Sequence, residues 1–113
     1  MRLPAVDRAF IEPRKLHDYL LSPSHPVGRF KAAFFQALGY SQAEWQILAT
    51  DLMHHATECE AKKTEATPYG QKYEVCGSLR CPAGREAVIV AVWIVLDGED
   101  HPRFVTAFPG PTP

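Results

Sequence analysis

Three cysteines in 113 residues, an odd number, are too few for a disulfide framework and suit a reducing compartment. None of them forms a Cys-x₂-Cys pair, so the paired knuckle of a structural zinc site is missing. No apolar run approaches the ~20 residues that span a bilayer, and the longest, Ala87 to Leu96, reads instead as a buried strand. No membrane association is expected. Neither charge is in surplus: the net charge is −1 and the pI is near 6.5. That balance argues against a general nucleic-acid coat, which is usually basic, but leaves room for a local cationic cleft. Walker-type loops, Rossmann glycine patterns and nucleophile elbows are also absent. The opening Met1-Arg2-Leu3-Pro4-Ala5-Val6-Asp7 has no signal-peptide core, which predicts a cytoplasmic product.

What is present describes a globular protein, with 46 % hydrophobic and 22 % charged residues. One α+β domain over residues 1–113 is expected, with a helical half at about 10–57 and a β half at about 68–109. Val6 to Ile11 suggests a short edge strand. Pro13 suits the first position of a helix reaching about Leu21, with Leu16, Tyr19 and Leu20 on one face. A second helix is expected from Pro26, with His25 at its cap. Steps of ~100° place Val27, Phe30, Phe34 and Leu38 in one buried stripe. Gly39 stops it, and Ser41 with Glu44 forms a capping box for a third helix that buries Trp45, Leu48, Ala49, Leu52 and Ala56.

Thr57 to Thr67, with Glu58, Glu60, Lys62, Lys63 and Glu65, reads as a solvated mixed-charge linker. Beyond it the pattern alternates. Tyr73, Val75 and Leu79 share one face of a strand, and Lys72, Glu74, Cys76, Ser78 and Arg80 the other. Cys81-Pro82-Ala83-Gly84 turns the chain into Glu86 to Leu96, apolar on both faces and therefore central. Arg103 to Phe108 follows as a further strand. The expected architecture is about three N-terminal helices packed on a C-terminal antiparallel meander of three to four strands.

Three segments carry a resemblance. They are Lys15-Leu16-His17-Asp18-Tyr19-Leu20-Leu21 running into His25-Pro26-Val27-Gly28-Arg29-Phe30-Lys31, then Tyr69-Gly70-Gln71-Lys72-Tyr73, then Ala91-Val92-Trp93-Ile94 leading to Arg103-Phe104-Val105-Thr106-Ala107. In this order, over roughly residues 10 to 109, the chain resembles a bacterial family of small domains of unknown function. It is also similar to the C-terminal toxin modules of contact-dependent growth-inhibition proteins. That similarity implies a metal-independent, tRNA-cleaving ribonuclease or an inactive relative, on the fold grouping of barnase, colicin-type tRNases and RelE. It further implies no cofactor, RNA as substrate, and a protein partner such as an immunity protein.

Metal-independent RNA cleavage needs a base for the 2′-hydroxyl, an acid for the leaving 5′-oxygen, and donors for the phosphorane charge. The residues offered for catalysis are His25, Lys31, Lys72 and Thr106, with Tyr69, Gln71 and Arg103 for substrate binding. Each has a plainer reading beside it. His25 is either an acid/base group or a cap beside a proline. Lys31, at the margin of the apolar stripe, aims at a phosphate or runs its stem along the core edge. Lys72 holds a phosphate or stands as a solvated strand lysine. Tyr69 stacks on a base or packs, and Gln71 binds a base edge or satisfies a turn. Arg103 and Thr106, being odd and even, point to opposite faces of a regular strand unless a bulge intervenes. Among the possible metal donors His54, His55, Cys59, Cys76 and Cys81, helical placement makes the vectors diverge. A non-catalytic binding module is the other class considered, and one working through the meander edge would expose Phe104 and Phe108.

Overall fold

The apolar run Glu86–Leu96 forms β3, and the other strands assemble on either side of it. The computed structural model describes residues 1–111. Residues 112 and 113, the end of the expected 1–113 range, lie outside the described residues. The strands are β1 (Ala61–Ala66), β2 (Gly70–Arg80), β3 and β4 (Arg103–Pro109), antiparallel in the order β1-β2-β3-β4. They follow three helical segments, as the sequence pattern predicts. The first is α1 (Pro13–Lys15), which continues as a π-helical turn (Leu16–Leu20); α2 (Arg29–Ala37) and α3 (Trp45–Glu58) come next. Among the described residues no helix is long and apolar enough to cross a membrane.

Alternation along the strands decides which face the helices cover. Val75 and Leu79 of β2, Ile89, Ala91 and Trp93 of β3, and Phe104 and Ala107 of β4 are buried together with Leu16, Leu20, Phe35, Leu48 and Leu52 from the helices. Trp93 is fully enclosed and meets Phe104 edge to face, 5.4 Å between centroids. Each large apolar side chain so buried is worth about 1.5–3 kcal/mol. Phe104 therefore belongs to the core, not to an exposed strand edge.

Four expectations are corrected. Thr57 to Thr67 is not a linker: Thr57 and Glu58 end α3, and Ala61–Ala66 form β1. As an edge strand β1 needs to bury only Ala61, while Lys62 and Lys63 stay outside, where lysines discourage pairing with another chain. Val6 to Ile11 is not an edge strand but a 3₁₀ turn (Val6–Arg8) followed by Phe10, which alone pairs with β4. The second helix begins at Arg29, after a separate turn over residues 25–28. Its buried face is also rotated. Val27 and Phe30 are 59 % and 70 % exposed, whereas Ala32 and Phe35 are fully buried. The cause is Gly28: a Cβ there would lie 2.0 Å from the Tyr19 carbonyl oxygen, so the helix approaches on its glycine side.

Gly39 takes a φ of 104° after α2, as read. The capping box forms only in half: the Ser41 hydroxyl accepts the Glu44 N–H at 3.2 Å, but α3 starts at Trp45 with Glu44 at its cap and no side-chain bond there. One residue on the buried face of α3 is polar. His55 Nε2 lies 3.2 Å from the Gly77 carbonyl, and among the described residues Nδ1 makes no well-aligned hydrogen bond. Burial lowers the His55 pKa, opposed by the Gly77 carbonyl. The unfolded chain therefore takes up a proton as pH falls through about 6.5 while the folded one resists, so stability is lost below that pH. Urea denaturation at pH 7.5 and pH 5 should show this loss in the wild type and a smaller one in His55→Gln. Equal pH dependence in the two would contradict the assignment.

Candidate functional site

Pro26 keeps His25 out of helical angles, and the turn that follows is closed by the histidine itself. His25 Nδ1 accepts the N–H of Val27 at 3.0 Å and of Gly28 at 2.9 Å. With Nδ1 as acceptor, the proton of the neutral ring is assigned to Nε2. Gly28 presses on the Tyr19 backbone, and the Tyr19 ring meets His25 edge to face at 5.0 Å. One turn into α2, Lys31 extends its ammonium to the same tyrosine. Lys31 Nζ donates to Tyr19 Oη at 2.7 Å and to Thr106 Oγ1 at 2.9 Å, and the two hydroxyls are 3.3 Å apart.

Four groups from four segments thus meet at the edge of β4, beside an open cleft of about 310 Å³ lined by Glu12, Arg14, Lys15, Asp18, Tyr19 and His25. Among the described residues no carboxylate pairs with Lys31; its partners are the two hydroxyls. Partial burial pushes the Tyr19 phenol up. The hydrogen bonds from Lys31 and Thr106, with the lysine charge, outweigh that and leave its pKa below the ordinary tyrosine value. The cluster can accept a proton at Tyr19 and present cationic and hydroxyl donors to an anion.

The other expected residues lie elsewhere. Lys72 pairs with Glu65 at 3.7 Å on β2, with β3 between it and Thr106. Gln71 Nε2 donates to the carbonyls of Thr64, Glu65 and Lys72, which satisfies β1 where its register with β2 slips between Lys63 and Ala66. Tyr69 stands 75 % exposed on the turn ahead of β2. Arg103 donates to both Glu99 carboxylate oxygens, at 2.7 and 2.9 Å, and its guanidinium lies 5.3 Å from the Phe10 ring centroid. The parity argument that separated Arg103 from Thr106 fails because β4 is bulged. Arg103 opposes Ile94 and Thr106 opposes Val92, so Val105 is the extra residue and the two share a face. Of the cysteines, Cys76 is exposed and Cys81 buried. Among the described residues no three His, Cys, Asp or Glu side chains gather as metal donors.

Tyr19 is the residue that sequence reasoning passed over, since it sat on the buried face with Leu16 and Leu20. Its signal was the phenol itself: a half-buried tyrosine brings its hydroxyl to a polar partner.

Residues 2–111 match the family described as Domain of unknown function (DUF6883). The chain belongs to that family. No curated protein matches it. A DUF6883 domain of this architecture is similar in fold to a chain of the contact-dependent growth inhibition toxin–immunity protein complex from Klebsiella pneumoniae 342. Identity is 19 % and the TM-score 0.67, over 96 % of this chain and 98 % of that one.

Spectroscopic titration of the four tyrosines should reveal one phenol ionising below the ordinary value of about 10. That component should vanish in Tyr19→Phe and move up in Lys31→Met; an unchanged curve in both would sever the pairing. Gly28→Ala should cost about 1–3 kcal/mol in denaturant unfolding, because the methyl must displace the Tyr19 backbone.

Proposed function

We propose that this DUF6883 domain is a metal-independent endoribonuclease of the toxin type, acting as one domain on RNA in the cytoplasm. The observation that supports this reading is the Tyr19–Lys31–Thr106 cluster, joined within 2.7–3.3 Å and bordered by His25 at an open cleft. Tyr19, as phenolate, takes the 2′-hydroxyl proton, and the 2′-oxygen attacks the adjacent phosphorus. Lys31, Thr106 and the His25 Nε2–H face the phosphorane oxygens as donors. The leaving 5′-oxygen departs with a proton from Lys31. Proton return from the Tyr19 phenol to the Lys31 amine, 2.7 Å away, resets the pair. The products are a 2′,3′-cyclic phosphate and a 5′-hydroxyl. Lys72 has no part in this scheme.

A second reading, a module that binds a protein partner, is favoured by one observation. Val27 and Phe30, which precede Gly28 and Lys31 in the chain, are both exposed, and the Arg29 guanidinium lies 4.8 Å from the Phe30 ring centroid. The similarity in fold to a chain of a toxin–immunity protein complex agrees with such a partner.

Incubation with total tRNA in excess EDTA, with mass analysis of the ends, tests the catalytic reading. Cleavage leaving cyclic phosphate is expected. Tyr19→Phe and Lys31→Met should each lose about 10²–10⁴-fold in rate, and Thr106→Val about tenfold. Lys72→Ala should remain within a few-fold of the wild type. No cleavage and no growth defect on expression would leave the binding reading in its place. Full activity in Tyr19→Phe would remove the assigned base.

A further inference from the structure

Three clefts join end to end. The cleft of about 310 Å³ at Tyr19 and His25 shares Glu12 and Lys15 with one of about 150 Å³. That one in turn shares Phe10 and Arg103 with a cleft of about 420 Å³ that reaches Arg8 and His101. The result is a groove leading away from the candidate site along the edge of β4.

At its middle stands Phe10, 40 % exposed. Its backbone is pinned, because its N–H donates to the Pro102 carbonyl and its carbonyl accepts the Phe104 N–H, both at 2.9 Å. Arg103 braces the ring and is itself held by Glu99. The charges along the groove are largely matched: Glu12 pairs with Arg14, Glu99 with Arg103, and Asp100 with Arg8. Lys15 is the lining cation that, among the described residues, pairs with no carboxylate, and Lys31, behind the lining Tyr19, is likewise without one. An exposed aromatic ring, one free ammonium in the groove with another at its end beside Tyr19, and a nearly neutral channel suit a chain with accessible base faces and few phosphate contacts.

We propose that this groove binds single-stranded RNA flanking the scissile phosphate, with an unpaired base stacked on Phe10 and a neighbouring phosphate on Lys15. The proposal rests on the ribonuclease reading for its substrate but is tested without catalysis. Stacking dominates, because every base offers a π-face while the carboxylates along the groove keep its field low. A duplex hides its base faces and is excluded. With two phosphates contacted, affinity should fall only about sevenfold between 50 and 200 mM salt. The basis is a slope of about −0.7 per contact for single strands, where a typical many-contact binder loses about 10³–10⁵.

Fluorescence anisotropy with a labelled 2′-O-methyl hexanucleotide, which lacks the attacking hydroxyl, provides the test. Phe10→Leu, checked for an unchanged melting temperature, should weaken binding about 5- to 150-fold, the worth of one stacked base. Phe10→Trp should bind at least as tightly as the wild type and show quenched indole fluorescence on binding. The same sequence as a duplex should bind more weakly than the single strand. Undiminished affinity in Phe10→Leu, equal binding of the duplex, or no binding by the wild type would each overturn the proposal. A protein that cleaves RNA with Phe10→Leu affinity unchanged loses this groove and keeps its active site. One that binds through Phe10 without cleaving keeps the groove and loses the ribonuclease reading.

Discussion

β3 is the constraint on which the rest of the molecule hangs. All eleven of its residues pair with β2, and most of its length also pairs with β4. Such a strand has both neighbours prescribed, so its backbone groups are satisfied only inside the sheet. Its odd row, Ile89, Ala91 and Trp93, supplies the floor onto which the helices pack. Trp93 is too large to be relocated without opening a void, and its contact with Phe104 ties β4 to the same layer. The position of the β4 edge, and with it Thr106, follows from that packing.

A second close contact carries the packing to the candidate site. Gly28 lies against the Tyr19 carbonyl with no room for a side chain. This approach turns α2 so that Ala32 and Phe35 enter the core. It leaves Lys31 at the boundary, where its stem can run beside the protein and its ammonium can reach two hydroxyls. The same rotation pushes Val27 and Phe30 into solvent. One glycine therefore sets the lysine–tyrosine–threonine geometry and the exposed apolar pair together.

How much of this could be read in advance depends on the range of the interaction responsible. β3 was legible to the residue, Glu86 to Leu96, because a run of β-branched and apolar residues between two turns has few alternatives. Gly39 and Ser41 announced the junction of α2 and α3 through local chemistry. β1 was hidden. An edge strand buries so little that its charged sequence carries almost no strand signal, and its identity comes from β2 lying beside it. The face of α2 was misread because a helical wheel weighs hydrophobicity alone, whereas a glycine contact outweighed the two apolar side chains.

The candidate site divides in the same way. His25, Lys31 and Thr106 could be named from residue type, while the bulge at Val105 that puts Arg103 and Thr106 on one face left no mark in the alternation pattern. Tyr19 passed for a core residue, and the turn at Tyr69 to Lys72 passed for a site although Gln71 and Lys72 serve β1. By itself the sequence determined the class of fold, the order of its elements, the central strand and the inventory of groups able to handle a phosphate. Which of those groups meet was decided by the tertiary structure alone. Their meeting depends on a strand bulge and on a backbone contact between residues nine apart, and neither leaves a periodic trace in the chain.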